Sequence, residues 1–116
     1  MRKLRVGVLA SGRGSNLQAI IDRSLSGDID VEVVAVMSDV ESAQALERAR
    51  AAGIPALYFD PGRTGARLTH EAESRCAHEL EKCGVEIIAL AGFMRILGKE
   101  LLGRFAGRIL NIHPSL

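Results

Sequence analysis

The sequence predicts an α/β fold, a doubly wound parallel sheet with strand order 3-2-1-4-5 and helices on both faces. The first indication is that apolar, β-rich runs alternate five times with stretches of helical periodicity. The second is that glycine-containing turns separate these segments. Strands joined through helices form parallel pairs with right-handed crossovers. At 116 residues the chain has the size of one domain, which we assign to residues 1–116.

Five segments have the composition of strands. Residues 4–10 (LRVGVLA), 31–37 (VEVVAVM) and 85–91 (VEIIALA) are nearly continuous apolar runs, as expected for strands buried on both faces of a sheet. Residues 55–59 form a shorter run, and the fifth begins at Ile109.

Four helices are predicted between these strands. The first has apolar residues at helical spacing, namely Leu17, Ile20, Ile21 and Leu25. Ser42 is a candidate N-cap for the second helix, which ends at Gly53. The third helix is predicted over residues 66–82 and the fourth over residues 99–105.

The two cysteines are predicted to be apolar core residues of the third helix. Cys76 and Cys83 share a helical face, but their separation corresponds to a rise of about 10 Å, too far for a disulfide. A zinc site with His70 or His78 is the alternative, and it lacks the CxxC pair that is usual for such sites.

Composition narrows the range of functions. Apolar residues make up 47% of the chain, charged residues 25%, and the net charge is +1, so a basic surface for nucleic acid is not expected. The apolar runs are far shorter than the roughly 20 residues of a membrane span. Residues 4–10 lead directly into a polar glycine loop, unlike a signal peptide. We therefore expect a cytoplasmic protein.

Three segments whose residues could bind a ligand or take part in a reaction follow predicted strands 1, 4 and 5. They are residues 11–16 (SGRGSN), 92–97 (GFMRIL) and 111–113 (NIH). In the predicted strand order these three strands are adjacent, so their carboxyl ends converge at one edge of the sheet, where α/β proteins bind ligands.

The segment 11–16 has the features of a phosphate-binding loop. The backbone N–H groups of Gly14, Ser15 and Asn16 would lie at a helix N-terminus, which favours an anion. Leu17 replaces the third glycine of the dinucleotide fingerprint, and no Lys-Ser/Thr pair follows. A single terminal phosphate therefore fits better than a pyrophosphate, although a plain strand-to-helix turn remains the alternative.

The other two segments suggest a ligand pocket and a catalytic pair. Arg95 stands among apolar side chains, which suits a flat ligand or, alternatively, a buried connection with an extended arginine. Asn111 could donate to an oxyanion and His113 could transfer a proton. A structural role for the histidine is the alternative. Asp39, at the end of strand 2, is interpreted as a turn or cap residue, or else as a ligand of a cofactor ribose.

Together, the sequences SGRGSNLQAI from Ser11, LAGFMRIL from Leu90 and LNIHPSL from Leu110 resemble those of the phosphoribosylglycinamide formyltransferases. These enzymes transfer a formyl group from 10-formyltetrahydrofolate to the amine of glycinamide ribonucleotide (GAR) in purine biosynthesis. The resemblance implies the Rossmann-like N-terminal domain of a formyltransferase, with GAR and 10-formyltetrahydrofolate as its small-molecule partners and with no metal.

The resemblance also implies roles for individual residues. Gly14, Ser15 and Asn16 would hold the GAR phosphate, Asn111 would stabilise the oxyanion, and His113 would transfer the proton. The expected folate-binding residues are Leu90, Met94, Arg95, Ile96, Leu97 and Leu102, with Arg67 as the candidate for the folate tail.

Family members run to about 200 residues, so we expect this chain to lack a C-terminal half and to be inactive alone. The exposed edge beside strand 5 is expected to favour self-association. Two alternatives are another Asn-x-His formyl enzyme, of the methionyl-tRNA formyltransferase or formyltetrahydrofolate hydrolase type, and a non-catalytic phosphate-binding module. The near-neutral charge argues against tRNA.

Overall fold

A computed structural model describes residues 2–62 and 65–112 as a five-stranded parallel sheet flanked by helices. The strand order is β3-β2-β1-β4-β5, which confirms the predicted topology. The strands are β1 (Leu4–Leu9), β2 (Val31–Ser38), β3 (Ala56–Tyr58), β4 (Ile87–Ala91) and β5 (Ile109–Ile112).

Four helices connect the strands, as the sequence predicts. They are α1 (Ser15–Ser26), α2 (Gln44–Ala51), α3 (His70–Lys82) and α4 (Lys99–Arg104). Gly27 ends α1 in the left-handed conformation, with a φ of 83°.

The predicted N-cap of α2 is wrong. The helix begins at Gln44, with Ala43 rather than Ser42 at the N-cap position and without a side-chain cap. The reason is a contact from elsewhere in the chain, because the Ala45 N–H donates to the Gly12 carbonyl at 3.1 Å. The glycine loop thus satisfies a first-turn donor that a capping side chain would otherwise accept from.

The predicted start of α3 is also wrong, by four residues. Thr69 caps the helix, and its Oγ1 accepts a hydrogen bond from the Ala72 N–H at 3.2 Å. The preceding residues are instead extended, because Arg67 bridges in parallel to Ile96 and the Ile96 N–H donates to the Ala66 carbonyl at 2.7 Å.

Each face of the sheet buries its own apolar core. One core packs α1 and α2 against alternate residues of β1 and β4 and includes the buried side chains of Leu17, Ile21 and Leu46. The other packs α3 and α4 against the opposite face. Cys76 is buried in this second core and Cys83 packs partly against it, and both thiols are free. Burial raises the pKa of the Cys76 thiol to about 12, so this side chain behaves as an apolar one.

Within residues 2–62 and 65–112, the helices are too short and too polar to traverse a lipid bilayer. In the same residues, His, Cys, Asp and Glu side chains do not gather in groups of three or more that could hold a metal ion.

Candidate functional site

The candidate site lies at the carboxyl ends of β1 and β4, where the direction of winding changes. From β1 the chain proceeds to β2 and β3 on one side, and then returns to place β4 on the other side of β1. Such a switch point opens a crevice between the two strands. A cavity of about 240 Å³ lies there, between the glycine loop and the end of β4. Its lining residues are Gly12, Arg13, Gly14, Ser15, Asn16, Ala91 and Gly92.

The glycine loop presents the N-terminus of α1 to this cavity. Gly14 is the N-cap, and its side chain, a hydrogen, leaves the first-turn N–H groups without a side-chain cap. The first turn contains no acidic residue. Both features favour an anion, because the unpaired N–H groups and the helix dipole give this end a partial positive charge.

Gly14 is required here for two separate reasons. Its φ of 80° lies in the left-handed region. A Cβ atom at this position would also lie 2.8 Å from the Cα of Ala45, so α2 packs directly against the loop. Arg48 of α2 adds a further link, since its Nε donates to the Arg13 carbonyl at 2.7 Å.

Residues 92–97 leave β4 beside this loop and alternate in exposure. Met94 is 76% exposed and Ile96 is 50% exposed, whereas the side chain of Arg95 is only 15% exposed. Leu97 packs partly against the core of α3 and α4. The segment therefore presents apolar side chains outward and turns its arginine inward.

Arg95 is held in a cluster that we call the Asp39 network, formed by Ser11, Asp39, Met94 and Arg95. The Arg95 Nε donates to Asp39 Oδ2 at 2.8 Å, and Ser11 Oγ donates to Asp39 Oδ1 at 2.7 Å. The Met94 N–H donates to Ser11 Oγ at 2.9 Å. Asp39 lies in the bend after β2, as the turn interpretation expects, and it does not cap α2, whose N-cap is Ala43. It is not an exposed ribose ligand, since it is buried and both of its carboxylate oxygens accept bonds from within the chain.

The three other predicted folate-binding residues lie on different parts of the fold around residues 92–97. Leu90 is the penultimate residue of β4 and packs partly against the second core. Arg67 is exposed and lies beside the segment, through its bridge to Ile96. Leu102 is on α4, which follows the segment directly, and is 52% exposed.

Asn111 lies on β5, next to β4 and in register with Leu90. Its side chain is exposed. The amide is therefore on the strand adjacent to the one that leads into residues 92–97, near the carboxyl end of the sheet. His113, its predicted catalytic partner, lies outside the described residues.

A larger cavity, of about 820 Å³, lies away from these segments. Its walls come mainly from β3, α3 and their flanking residues, together with Met37 of β2 and Arg104 of α4. Tyr58, His70, Arg75 and His78 are among its polar side chains. None of the predicted site residues lines it, and we assign the candidate site to the switch point instead.

Sequence reasoning missed the partners of two buried carboxylates. Asp39 was visible as an acidic residue at a strand end, but its contacts with Ser11 and Arg95 span 28 and 56 residues. Glu73, buried on α3, accepts hydrogen bonds from the N–H groups of Gly98 and Leu101, both at 2.8 Å. A local pattern cannot indicate such distant pairs.

The chain matches the formyl transferase family over residues 4–116. A phosphoribosylglycinamide formyltransferase from Haemophilus influenzae is 43% identical over 112 residues, which cover 97% of this chain and 52% of that relative.

Two solved structures are similar to this fold. Glycinamide ribonucleotide transformylase 1 from Symbiobacterium toebii matches with a TM-score of 0.88 and 46% identity, over 98% of this chain and 53% of that one. A formyltetrahydrofolate deformylase from Pseudomonas putida matches with a TM-score of 0.82 and 30% identity, over 99% of this chain and 40% of that one. The chain thus spans about half the length of the formyltransferases it matches, and it belongs to the formyl transferase family.

Proposed function

We propose that this chain provides the substrate-binding half of an enzyme that transfers the formyl group of 10-formyltetrahydrofolate to the amine of GAR. The observation that supports this most directly is the arrangement at the switch point. Three features lie together at the carboxyl end of the sheet. They are the uncapped N-terminus of α1, the exposed apolar side chains of residues 92–97, and the amide of Asn111 on β5. Membership of the formyl transferase family supplies the reaction class.

The GAR phosphate would bind in the cavity at the N-terminus of α1. The N–H groups of Gly14, Ser15 and Asn16 are the proposed donors, and the helix dipole adds a favourable field. The cavity of about 240 Å³ has room for one phosphate group and its immediate linkage. Arg13, which also lines it, adds positive charge.

The folate heterocycle would bind along residues 92–97. Its flat ring has apolar faces, which suit the exposed side chains of Met94 and Ile96. The polar edge of the ring would pair with backbone groups, since the Arg95 guanidinium is already engaged with Asp39 and the Gly65 carbonyl. Leu90, Leu97 and Leu102 are proposed to border this ring, and Arg67 is proposed to meet the carboxylates of the folate tail.

In the reaction, the GAR amine attacks the formyl carbon and forms a new C–N bond. The carbonyl oxygen becomes an oxyanion, which the Asn111 amide would stabilise by donating a hydrogen bond. Collapse of this intermediate breaks the bond to N10 of the folate. His113 would take the proton that the amine loses and deliver one to N10. The products are formyl-GAR and tetrahydrofolate.

The test is a formyl-transfer assay with the chain alone and with the chain combined with the remainder of the Haemophilus influenzae relative. We expect turnover only in the combined sample, because the group that orients His113 is expected outside the chain. His113→Ala should abolish that turnover, because it removes the group that transfers the proton. Turnover by the chain alone would overturn the expected need for that second half.

The similarity to a deformylase supports a second candidate, hydrolysis of 10-formyltetrahydrofolate, in which water replaces the amine. Formate release without GAR would identify it. The two activities share the oxyanion and the proton transfer, so they differ only in the nucleophile. An absence of both activities, with GAR still protecting the chain against thermal unfolding, would leave a non-catalytic phosphate-binding module.

A further inference from the structure

Asp39 is a buried carboxylate that the proposed chemistry does not use. It is 6% exposed and lies just after β2, on the side of β1 opposite to β4. Each of its two oxygens accepts one side-chain hydrogen bond, from Ser11 and from Arg95. Burying a carboxylate is unfavourable unless such partners compensate for the lost water. The carboxylate therefore joins two segments that are distant in sequence.

Ser11 connects this carboxylate to the backbone of residues 92–97. Its N–H donates to the Gly92 carbonyl at 3.2 Å, and its Oγ accepts from the Met94 N–H at 2.9 Å. Two successive bonds thus fix the turn by which the chain leaves β4. Ser11 is also the first residue of the glycine loop, so the same residue adjoins both proposed substrate sites.

Arg95 fixes the other half of the segment. Its Nε is held by Asp39, and its guanidinium also donates to the Gly65 carbonyl at 2.5 Å. The next residue, Ile96, donates its N–H to the Ala66 carbonyl. With Arg95 anchored inward, its neighbours Met94 and Ile96 are exposed, at 76% and 50%.

We propose that Asp39 is a positioning residue for the formyl donor, which acts through Ser11 and Arg95 to hold residues 92–97 in the conformation that accepts the folate ring. This inference rests on the proposed function, and it names the residue that organises one of its two substrate sites. Asp39 itself does not touch the reacting atoms. The GAR phosphate site depends mainly on Gly14 and its packing against α2 and shares only Gly92 with the segment, so the two sites should respond differently to a change at Asp39.

The first experiment measures KM for each substrate in the combined enzyme. Asp39→Ala is expected to raise KM for 10-formyltetrahydrofolate about tenfold, because small displacements of a binding segment have effects of this order or larger. KM for GAR should stay within about twofold. Asp39→Asn, which keeps an acceptor for Arg95, should recover most of the loss. Equal changes in both KM values, or no change in either, would overturn the proposal.

A matched control removes a carboxylate at the opposite end of the sheet. Glu86 precedes β4 and accepts from the backbone N–H of Arg5 and from Arg2. Glu86→Ala should leave both KM values unchanged. A rise in donor KM for this variant as well would show that the Asp39 effect reflects general stability.

The second experiment requires no substrate, and so separates this inference from the proposed function. In the 116-residue chain, Asp39→Ala should speed hydrogen exchange at the Met94 and Ile96 amides, with exchange in the middle of β1 unchanged. If exchange at these two amides does not change, the positioning role is wrong. If the wild-type combined enzyme transfers no formyl group while exchange responds as expected, the proposed function fails and Asp39 is shown only to hold this segment.

Discussion

Glu73 Oε1 accepts a hydrogen bond from the Leu101 N–H at 2.8 Å, and this contact ties α3 to the first turn of α4. The other carboxylate oxygen accepts from the Gly98 N–H, also at 2.8 Å. A Cβ on Gly98 would lie 2.6 Å from that oxygen, so the close approach depends on glycine. Since α4 has no cap from its own N-cap residue, Glu73 replaces it from a neighbouring helix.

Glu73→Ala should therefore lower the free energy of unfolding by about 2–3 kcal/mol, because the buried N–H of Leu101 and the partly buried N–H of Gly98 lose their acceptor. Urea denaturation followed by circular dichroism measures this loss. Glu79→Ala is the matched control on the same helix and should cost less than about 1 kcal/mol. Within residues 2–62 and 65–112, the Glu79 carboxylate makes only a long contact of 4.0 Å with Lys82. Equal losses in the two variants would contradict a specific capping role.

Gly14→Ala should destabilise the chain and weaken phosphate binding together. The substitution places a side chain at a φ of 80° and drives its Cβ into the backbone of α2, at a cost of about 1–3 kcal/mol or more. Thermal unfolding with and without GAR measures both effects. Gly12→Ala is the control for stability in the same loop, because a Cβ there would meet no chain atom within 4 Å, although this residue also lines the cavity. Gly103→Ala, on α4, is the control for GAR protection, since a Cβ there would also meet nothing within 4 Å. Retained GAR protection in Gly14→Ala would place the phosphate site elsewhere.

Sequence reasoning succeeded for the topology of the sheet, whereas the contacts of Glu73 with Gly98 and Leu101 were not predicted. The strand order follows from the alternation of elements and the right-handed crossover rule, both of which are local or general. From the sequence, Gly14 is interpreted as allowing the backbone to approach an anion, whereas its left-handed φ and its packing against Ala45 could not be predicted.

The failures have one physical cause, namely hydrogen bonds between residues distant in sequence. Ser42 has the chemistry of a cap, but the Gly12 carbonyl meets the start of α2 instead. Residues 66–68 could continue a helix by composition, yet pairing with Ile96 holds them extended. The partners of Asp39 were hidden in the same way.

Acid should weaken the contact of Glu86, which precedes β4, with Arg2 and the Arg5 N–H. The hydrogen bond from Arg2, with the one from the Arg5 N–H, lowers the pKa of Glu86 from 4.5 to about 2. Because the folded-state pKa is depressed, this stabilisation is complete above about pH 4.5 and is lost as the pH falls towards 2. The free energies of unfolding of the wild type and of Glu86→Gln should therefore converge as the pH falls from about 4.5 towards 2. A constant difference down to pH 2 would be inconsistent with this assignment.

The edge of the sheet at β5 should mediate self-association. Among the described residues, β5 pairs only with β4, and Leu110 on it is 54% exposed. Unpaired strand edges with apolar side chains recruit further strands. Analytical ultracentrifugation of the 116-residue chain should show concentration-dependent association that Leu110→Lys reduces. Leu25→Lys is the control, because Leu25 is 79% exposed but lies on α1; an equal reduction there would indicate a general charge effect.

Asn111→Ala should separate catalysis from binding in the combined enzyme. The proposed hydrogen bond from the Asn111 amide strengthens only as the formyl oxygen gains charge, so kcat should fall by about 10²–10³ with little change in either KM. The residue is exposed on β5, so the loss of its amide should not alter the unfolding temperature. Steady-state kinetics and a melting curve measure the two quantities. A variant that binds the formyl donor poorly but retains its kcat would place Asn111 in the folate site rather than at the oxyanion. If Asn111→Ala keeps both its kcat and its KM values, another donor stabilises the oxyanion and β5 has a structural role.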